Sequence, residues 1–240
     1  MSEAIFAEGL TKSYDGKTVV DHLSFSVERG TVFGLLGANG AEKSTAIECL
    51  LGTKRADAGT VRLLGQDPGK QRRALFQRIG VQFQDGDYQA EIRVSELCEE
   101  TACLYPNPMD WRVLCRQFGI GDKMRASVKH LSGGQRQRLF IVLALIPRPE
   151  VVFLDELTTG LDAKARREVW KTLESLKEKG LTIFLTSHFM DEVEALCDEI
   201  CILRKGVSVF RGSVPQAKAL CGCERFEDAY LHLADQEADA

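Results

Sequence analysis

Nine consecutive residues, Gly37, Ala38, Asn39, Gly40, Ala41, Glu42, Lys43, Ser44 and Thr45, carry the clearest chemistry in the chain. They lie between a short apolar run, Thr31 to Leu36, and a segment of helical character from Lys43 to Leu51. A glycine-containing loop placed between a strand and a helix turns successive backbone N–H groups inward. With the positive end of the helix these groups cradle phosphate. In such a loop Lys43 fits the cation on the β- and γ-phosphates, and Ser44 fits a ligand to Mg2+. The pattern G-x-x-x-x-G-K-[ST] is met at every position except its second glycine, where this chain has Glu42. Alone, the altered loop reads equally well as a plain strand-to-helix turn.

Two further segments bear on that choice. Leu131 is followed by Ser132, Gly133, Gly134 and Gln135 ahead of a helix, so unpaired N–H groups sit beside two residues without side-chain bulk. That is a second anion-binding geometry, and its plainer reading is a helix capped by Ser132. Downstream, the apolar strand Val151 to Leu154 ends in Asp155 and Glu156. Adjacent carboxylates at the carboxyl end of a buried strand suit a metal ligand and a base.

The elements that must position these groups follow from apolar spacing. Leu23, Phe25 and Val27 alternate with polar residues, and Asp15-Gly16 forms a turn signal, so the chain opens with antiparallel strands. From Val94 to Phe118 the apolar spacing is helical, interrupted by Pro106 and Pro108. Then come a helix (Gly134 to Ile146), a strand (Val151 to Leu154), a helix (Ala163 to Lys179), a strand (Thr182 to Thr186) and a helix from Met190. This alternation predicts an α/β fold with a mostly parallel sheet covered on both faces. The acidic stretch from Glu227 onward reads as a terminal helix or a frayed end.

Composition bounds the function. With 240 residues, 44% hydrophobic and 28% charged, the chain can bury one sizeable core. A net charge of -4 without a long basic run argues against nucleic acid or anionic lipid as partner. Met1 to Phe6 lacks the pattern of a secretion signal. The apolar stretch Leu139 to Ile146 ends at Pro147, far short of the roughly 20 residues that span a bilayer. The eight cysteines are scattered among apolar segments, which suits a reducing compartment. The spacing of Cys197, Cys201, Cys221 and Cys223 matches no familiar zinc pattern.

Together these segments resemble the ATP-binding cassette (ABC) family of transporter ATPases over nearly the whole chain. The phosphate loop, Leu131-Ser132-Gly133-Gly134-Gln135, Asp155-Glu156, Thr158-Thr159-Gly160-Leu161-Asp162 and Thr186-Ser187-His188 occur in the family's order. The resemblance implies a P-loop NTPase core with a mostly parallel sheet, an N-terminal antiparallel β layer and an inserted helical subdomain. The core is expected over 1–84 and 147–220, the helical subdomain with the signature over 85–146, and a tail over 221–240. It implies ATP and Mg2+ as cofactors. Tyr14 becomes the adenine platform, with a turn-flanking tyrosine as the alternative. Gln84 becomes the glutamine that touches Mg2+ and senses the membrane partner, in preference to Gln82. Asp155 becomes the Mg2+ carboxylate, Glu156 the general base, His188 the contact to the γ-phosphate and Asp162 the coupling residue between two sites.

The resemblance further implies that Ser132 and Gly134 of one copy close on the γ-phosphate held by Lys43 of another, in a homodimer or with a paired ABC subunit. A transmembrane permease is the remaining partner, with the chain cytoplasmic and peripheral on the membrane's inner face. The segments Asp155-Glu156-Leu157-Thr158-Thr159 and Ser187-His188-Phe189-Met190-Asp191-Glu192 resemble most the branch of bacterial exporters of drugs, antibiotics or ions, Leu157 standing where many relatives have proline. A catalytically silent regulatory subunit and a soluble cassette ATPase of translation or DNA repair are the alternatives; the soluble relatives usually carry two cassettes or long coiled coils.

Glu42 departs from the family's glycine, which takes a positive φ and lets phosphate oxygens approach the backbone. An L-residue held there costs roughly 1 to 2 kcal/mol, which a domain stable by about 5 to 15 kcal/mol absorbs. Charge matters more. Two unit charges about 5 Å apart at an effective dielectric of about 20 repel by roughly 3 kcal/mol, about a hundredfold in affinity. The carboxylate has three fates: facing phosphate, swinging into solvent, or pairing with Lys43.

Overall fold

The computed structural model describes residues 3–82, 88 and 91–235. In chain order the elements are β1 (Glu3–Tyr14), β2 (Lys17–Glu28), β3 (Val32–Leu36), α1 (Lys43–Leu50), β4 (Ala58–Leu63), α2 (Arg72–Leu75) and β5 (Ile79–Gln82). Next come α3 (Val94–Cys103), α4 (Trp111–Gln117), α5 (Gly133–Leu145), β6 (Val151–Leu154), α6 (Ala163–Lys177) and β7 (Thr182–Leu185). The chain continues through α7 (Met190–Leu196), β8 (Glu199–Arg204), β9 (Val207–Gly212), α8 (Val214–Cys221) and α9 (Phe226–Asp235). Backbone contacts divide it into two compact units, 1–75 with 186–240, and 76–185.

In the first unit β1 pairs antiparallel with β2 and with β4, in the order β2-β1-β4. Asp15 (φ 49°) and Gly16 (φ 78°) make the hairpin turn, both with the positive φ that lets a two-residue connection follow the strand twist. Along β2, Leu23, Phe25 and Val27 are buried, as their alternation predicts, and Phe25 stacks on Phe33 of β3 at 4.9 Å. All five residues of β3 are buried, as expected of an apolar strand covered on both faces. β3 runs parallel to β8, Leu36 opposite Ile202, and β9 returns antiparallel to β8. Leu36, Ile200 and Ile202 share a core with Val193 of α7, Val214 and Ala217 of α8, and Phe226 and Ala229 of α9. The acidic C-terminal stretch is therefore helical through Asp235, and packed through its apolar face.

In the second unit β5, β6 and β7 form a parallel ladder, with Val151 opposite both Ile79 and Thr182. Pro106 and Pro108 separate α3 from α4, and Asp110 restarts the helix by accepting the N–H of Arg112 at 2.9 Å. The apolar half of α5, from Leu139 to Leu145, is buried. It lies against β5, where a Cβ at Gly80 would fall 1.8 Å from the carbonyl oxygen of Ala144. Glycine there lets the helix approach the strand, which fixes the height of the Ser132 end. Gly80→Ala is expected to destabilise the protein by about 3 kcal/mol, read as a lowered midpoint of urea unfolding.

Candidate functional site

In the first unit, β3 delivers the chain into the phosphate-type loop and α1 takes it away. Gly37 is buried, and a Cβ there would meet the Leu203 oxygen at 2.6 Å and the Ala41 Cβ at 2.7 Å, so only glycine allows the loop to leave the strand this tightly. The N–H of Ala41 turns back to the carbonyl of Ala38 at 3.0 Å, while Ala38, Asn39 and Gly40 are exposed. Lys43 is 8% exposed, and its ammonium donates to the carbonyl oxygens of Gly37 (2.7 Å) and Ala38 (3.2 Å), folding the loop around itself. Ser44 is exposed at the first turn of α1, and Thr45 is buried.

Glu42 is the residue before that helix, at φ 68° and ψ 26°, and its side chain caps no backbone N–H. The sequence thus adopts the left-handed conformation the missing glycine would have taken, at a cost of roughly 1 to 2 kcal/mol. Its carboxylate instead accepts the Thr45 hydroxyl at 3.1 Å. This holds a negative charge on the first turn of α1, where the helix dipole favours an anion.

Tyr14 is 40% exposed at the end of β1. The ammonium groups of Lys12 and Lys54 lie 5.2 and 5.5 Å from its ring centroid. Lys54 is held above its ordinary pKa first by its bond to Glu48 and then by Tyr14. The Ser13 N–H and the Lys12 ammonium hold the Asp57 carboxyl below its usual range. His188 is exposed two residues before α7, where the chain bends because Ser187 Oγ accepts the N–H of Phe189 at 3.0 Å.

In the second unit, Ser132 and Gln135 form a reciprocal cap on α5: Ser132 Oγ accepts the Gln135 N–H at 3.2 Å, and Gln135 Oε1 accepts the Ser132 N–H at 3.0 Å. The plain reading of Ser132 as a cap is met. Gly133 is exposed. At Gly134 a Cβ would sit 3.0 Å from both the Gly160 oxygen and Leu161, so the first turn of α5 lies against the Gly160-Leu161 turn. Asp155, 8% exposed, follows β6 directly, and Glu156 comes next at φ 52°, left-handed like Glu42. The Glu156 carboxylate accepts the Thr159 hydroxyl at 3.3 Å.

Two further glutamines matter: Gln82, set aside in favour of Gln84 in the sequence reading, and Gln137, which that reading did not name. Gln82, 3% exposed, donates to the Asp155 carbonyl at 3.0 Å, so it steadies the strand end. Gln137 donates to the carbonyls of Glu156 (3.1 Å) and Leu157 (2.9 Å). The signal was a polar run, Gln135 to Arg138, at the start of a helix that is otherwise buried. Gln84 lies outside the described residues.

Asp162 caps α6, its carboxylate accepting the Ala165 N–H at 2.8 Å. Asp162→Ala should therefore cost about 1 kcal/mol in thermal unfolding without nucleotide, and Asp162→Asn only a few tenths. Equal losses for both would show that the cap is unimportant there.

Comparison with known proteins bears on the whole chain. The model of the family described as ABC transporter matches residues 20–159. The Nod factor export ATP-binding protein I of Ralstonia nicotianae is 44% identical over 212 residues, 85% of this chain and 65% of that protein. The protein of the same name from Mesorhizobium japonicum is 41% identical over 225 residues, 89% of this chain and 64% of that protein. The chain thus spans slightly under two thirds of the length of these relatives. A solved structure of an ATP binding subunit of an ABC transporter superposes with a TM-score of 0.88 at 24% identity, covering 96% of this chain and 99% of that one. The structure of cbiO1 from Clostridium perfringens, part of the ABC transporter complex cbiONQ, gives 0.79 at 25%, covering 97% and 96%. A phosphate-type loop after β3, a capped signature helix and paired carboxylates after β6, set in this fold and matched by this family, make the chain an ATP-binding cassette of the ABC transporter family.

Proposed function

We propose that the chain is the nucleotide-binding subunit that binds and hydrolyses Mg-ATP to drive export through a separate membrane permease, with its phosphate loop weakened by Glu42. The observation that carries the reading is the occurrence, in one cassette, of a loop folded around Lys43, a capped signature helix and a buried strand followed by Asp155 and Glu156. Export rests on the names of the relatives, Nod factor export ATP-binding proteins. Among the described residues no helix is long and apolar enough to cross a membrane, so on this reading other chains supply the passage and the cassette sits on the membrane's inner face.

Each of the chain's own groups then has a task. Lys43 exchanges the carbonyls of Gly37 and Ala38 for the β- and γ-phosphates, and the N–H groups of residues 38–45 complete the cradle. Tyr14 stacks on adenine. Ser44, Asp155 and Gln84 offer only oxygen donors, a set that fits Mg2+, which when bound neutralises phosphate charge. Glu156 orients the attacking water and takes its proton. His188 contacts the γ-phosphate. Ser132, Gly133, Gly134 and Gln135 of a second copy or paired subunit close the site, and Asp162 lies where the two sites communicate.

Glu42 opposes the first of these steps. Its carboxylate, on the first turn of α1 beside the Thr45 hydroxyl, is an internal anion at the place phosphate must enter. Near the γ- or β-phosphate such a charge repels by roughly 3 kcal/mol. Calorimetric titration with Mg-ATP should find the Glu42→Gly protein binding about a hundredfold more tightly than the present one; equal affinities would overturn the assignment. In that Glu42→Gly background, Glu156→Gln should lower phosphate release by about 100-fold to 10,000-fold while leaving ATP affinity within about twofold.

The same carboxylate favours a second reading, a silent subunit that pairs with an active one. Steady-state hydrolysis by the present chain, alone and with its partner subunit, separates the two: turnover by the chain alone excludes silence.

A further inference from the structure

Glu156 occupies a conformation that an L-residue avoids, φ 52°, so something outside it must hold it there. The carbonyl oxygen of Glu156 accepts two hydrogen bonds, from the Thr159 N–H at 3.2 Å and from Gln137 Nε2 at 3.1 Å. Both lone pairs of that carbonyl are thereby engaged. The same Gln137 amide also donates to the carbonyl of Leu157 at 2.9 Å. One side-chain NH2 with two hydrogens thus spans two successive carbonyls, which fixes the peptide plane leaving Glu156 and with it the direction of the Cα–Cβ bond. The bonds lie among half-buried and buried groups: Gln137 is half-buried, and Leu157 is fully buried.

Gln137 belongs to α5, the helix that begins at Gly133 under the Ser132 cap. It lies three residues beyond Gly134, whose first-turn backbone rests against Gly160. The first turns of α5 therefore touch the segment 156–161 at both ends, at Glu156 and Leu157 through Gln137, and at Gly160 and Leu161 through Gly134.

Resting on the reading of Glu156 as general base, we propose that Gln137 is a positioning residue: it clamps the left-handed turn so that the Glu156 carboxylate is aimed at the attacking water, and it ties that aim to the signature helix of the same chain. Gln137 acts through the backbone of Glu156 and Leu157, to whose carbonyls it donates. Its removal lets Glu156 relax to a right-handed conformation, which moves the carboxylate without altering the phosphate loop.

The test is a double-mutant cycle on phosphate release, in the Glu42→Gly protein. Gln137→Ala should lower kcat by about 10- to 100-fold and leave the KM for ATP within about twofold, because misplacing a reacting group by about 1 Å costs that much. In a protein already carrying Glu156→Gln, adding Gln137→Ala should lower the residual rate less than twofold, since the group it aims is gone. A full additional loss in that background, or an unchanged kcat in Gln137→Ala, overturns the proposal. Gln137→Glu, which keeps the length and removes the donors, should lose kcat as Gln137→Ala does; retained turnover there also counts against the clamp. If the Glu42→Gly protein hydrolyses no ATP, the functional reading fails, and a crystal structure of Gln137→Ala then judges the clamp: Glu156 leaving positive φ supports it, and Glu156 unmoved overturns it.

Discussion

Two side-chain donors, each spanning a pair of successive backbone carbonyls, hold the loops on which the function depends. Lys43 reaches back to Gly37 and Ala38 in one unit, and Gln137 reaches across to Glu156 and Leu157 in the other. In both places the chain leaves the carboxyl end of a buried strand and must turn sharply, which points carbonyls away from any ladder. A buried or half-buried carbonyl left without a donor costs about 1 to 3 kcal/mol, so the loop keeps its shape only while the donor is supplied. Charge separates the two donors. A lysine can trade carbonyls for phosphate oxygens because its charge favours the exchange, whereas a neutral amide gains nothing by leaving. On the proposed reading one clamp is made to open, and the other to stay shut.

Glu42 shows how a fold and its chemistry can be separated at one residue. The backbone asks for a left-handed residue before α1, and glutamate obeys at a cost small beside the stability of a domain. The strand, the helix and the Lys43 bonds are all in place. What changes is electrostatic. The Thr45 hydroxyl holds the carboxylate on the helix turn, so none of the three arrangements foreseen from sequence describes it fully. The charge neither needs Lys43 nor leaves for solvent, and it draws on the same helix N-terminus that phosphate uses on the proposed reading.

Much of this was legible in the sequence because it rests on local rules. The all-apolar run before the loop, the alternation in β2 and the 3.6-residue spacing of α6 each have one cheap solution, and the strand Val151–Leu154 carries the bounds its composition gives. The Ser132 and Asp162 caps were visible as residue types at helix starts. The clamp of Gln137 was not, because a hydrogen bond between residues 19 and 20 positions apart has no periodicity to betray it. Nor did the sequence show Lys12 and Lys54 flanking Tyr14, which joins residues of β1 to the turn after α1.

On the proposed reading the weakening by Glu42 is local, and that bears on how such a cassette pairs. Each composite site then takes its loop from one subunit and its signature from another. The signature half of this chain is sound: Ser132 caps α5, Gly134 packs on Gly160, and Glu156 stands in its clamped turn. Paired with itself, the chain puts Glu42 into both sites, and the repulsion of roughly 3 kcal/mol is met twice. Paired with a subunit whose loop has glycine at that position, it meets the repulsion once and still lends a working signature to the intact site. On the proposed reading, an acid that weakens the loop and leaves the signature untouched therefore favours an asymmetric pair over a symmetric one.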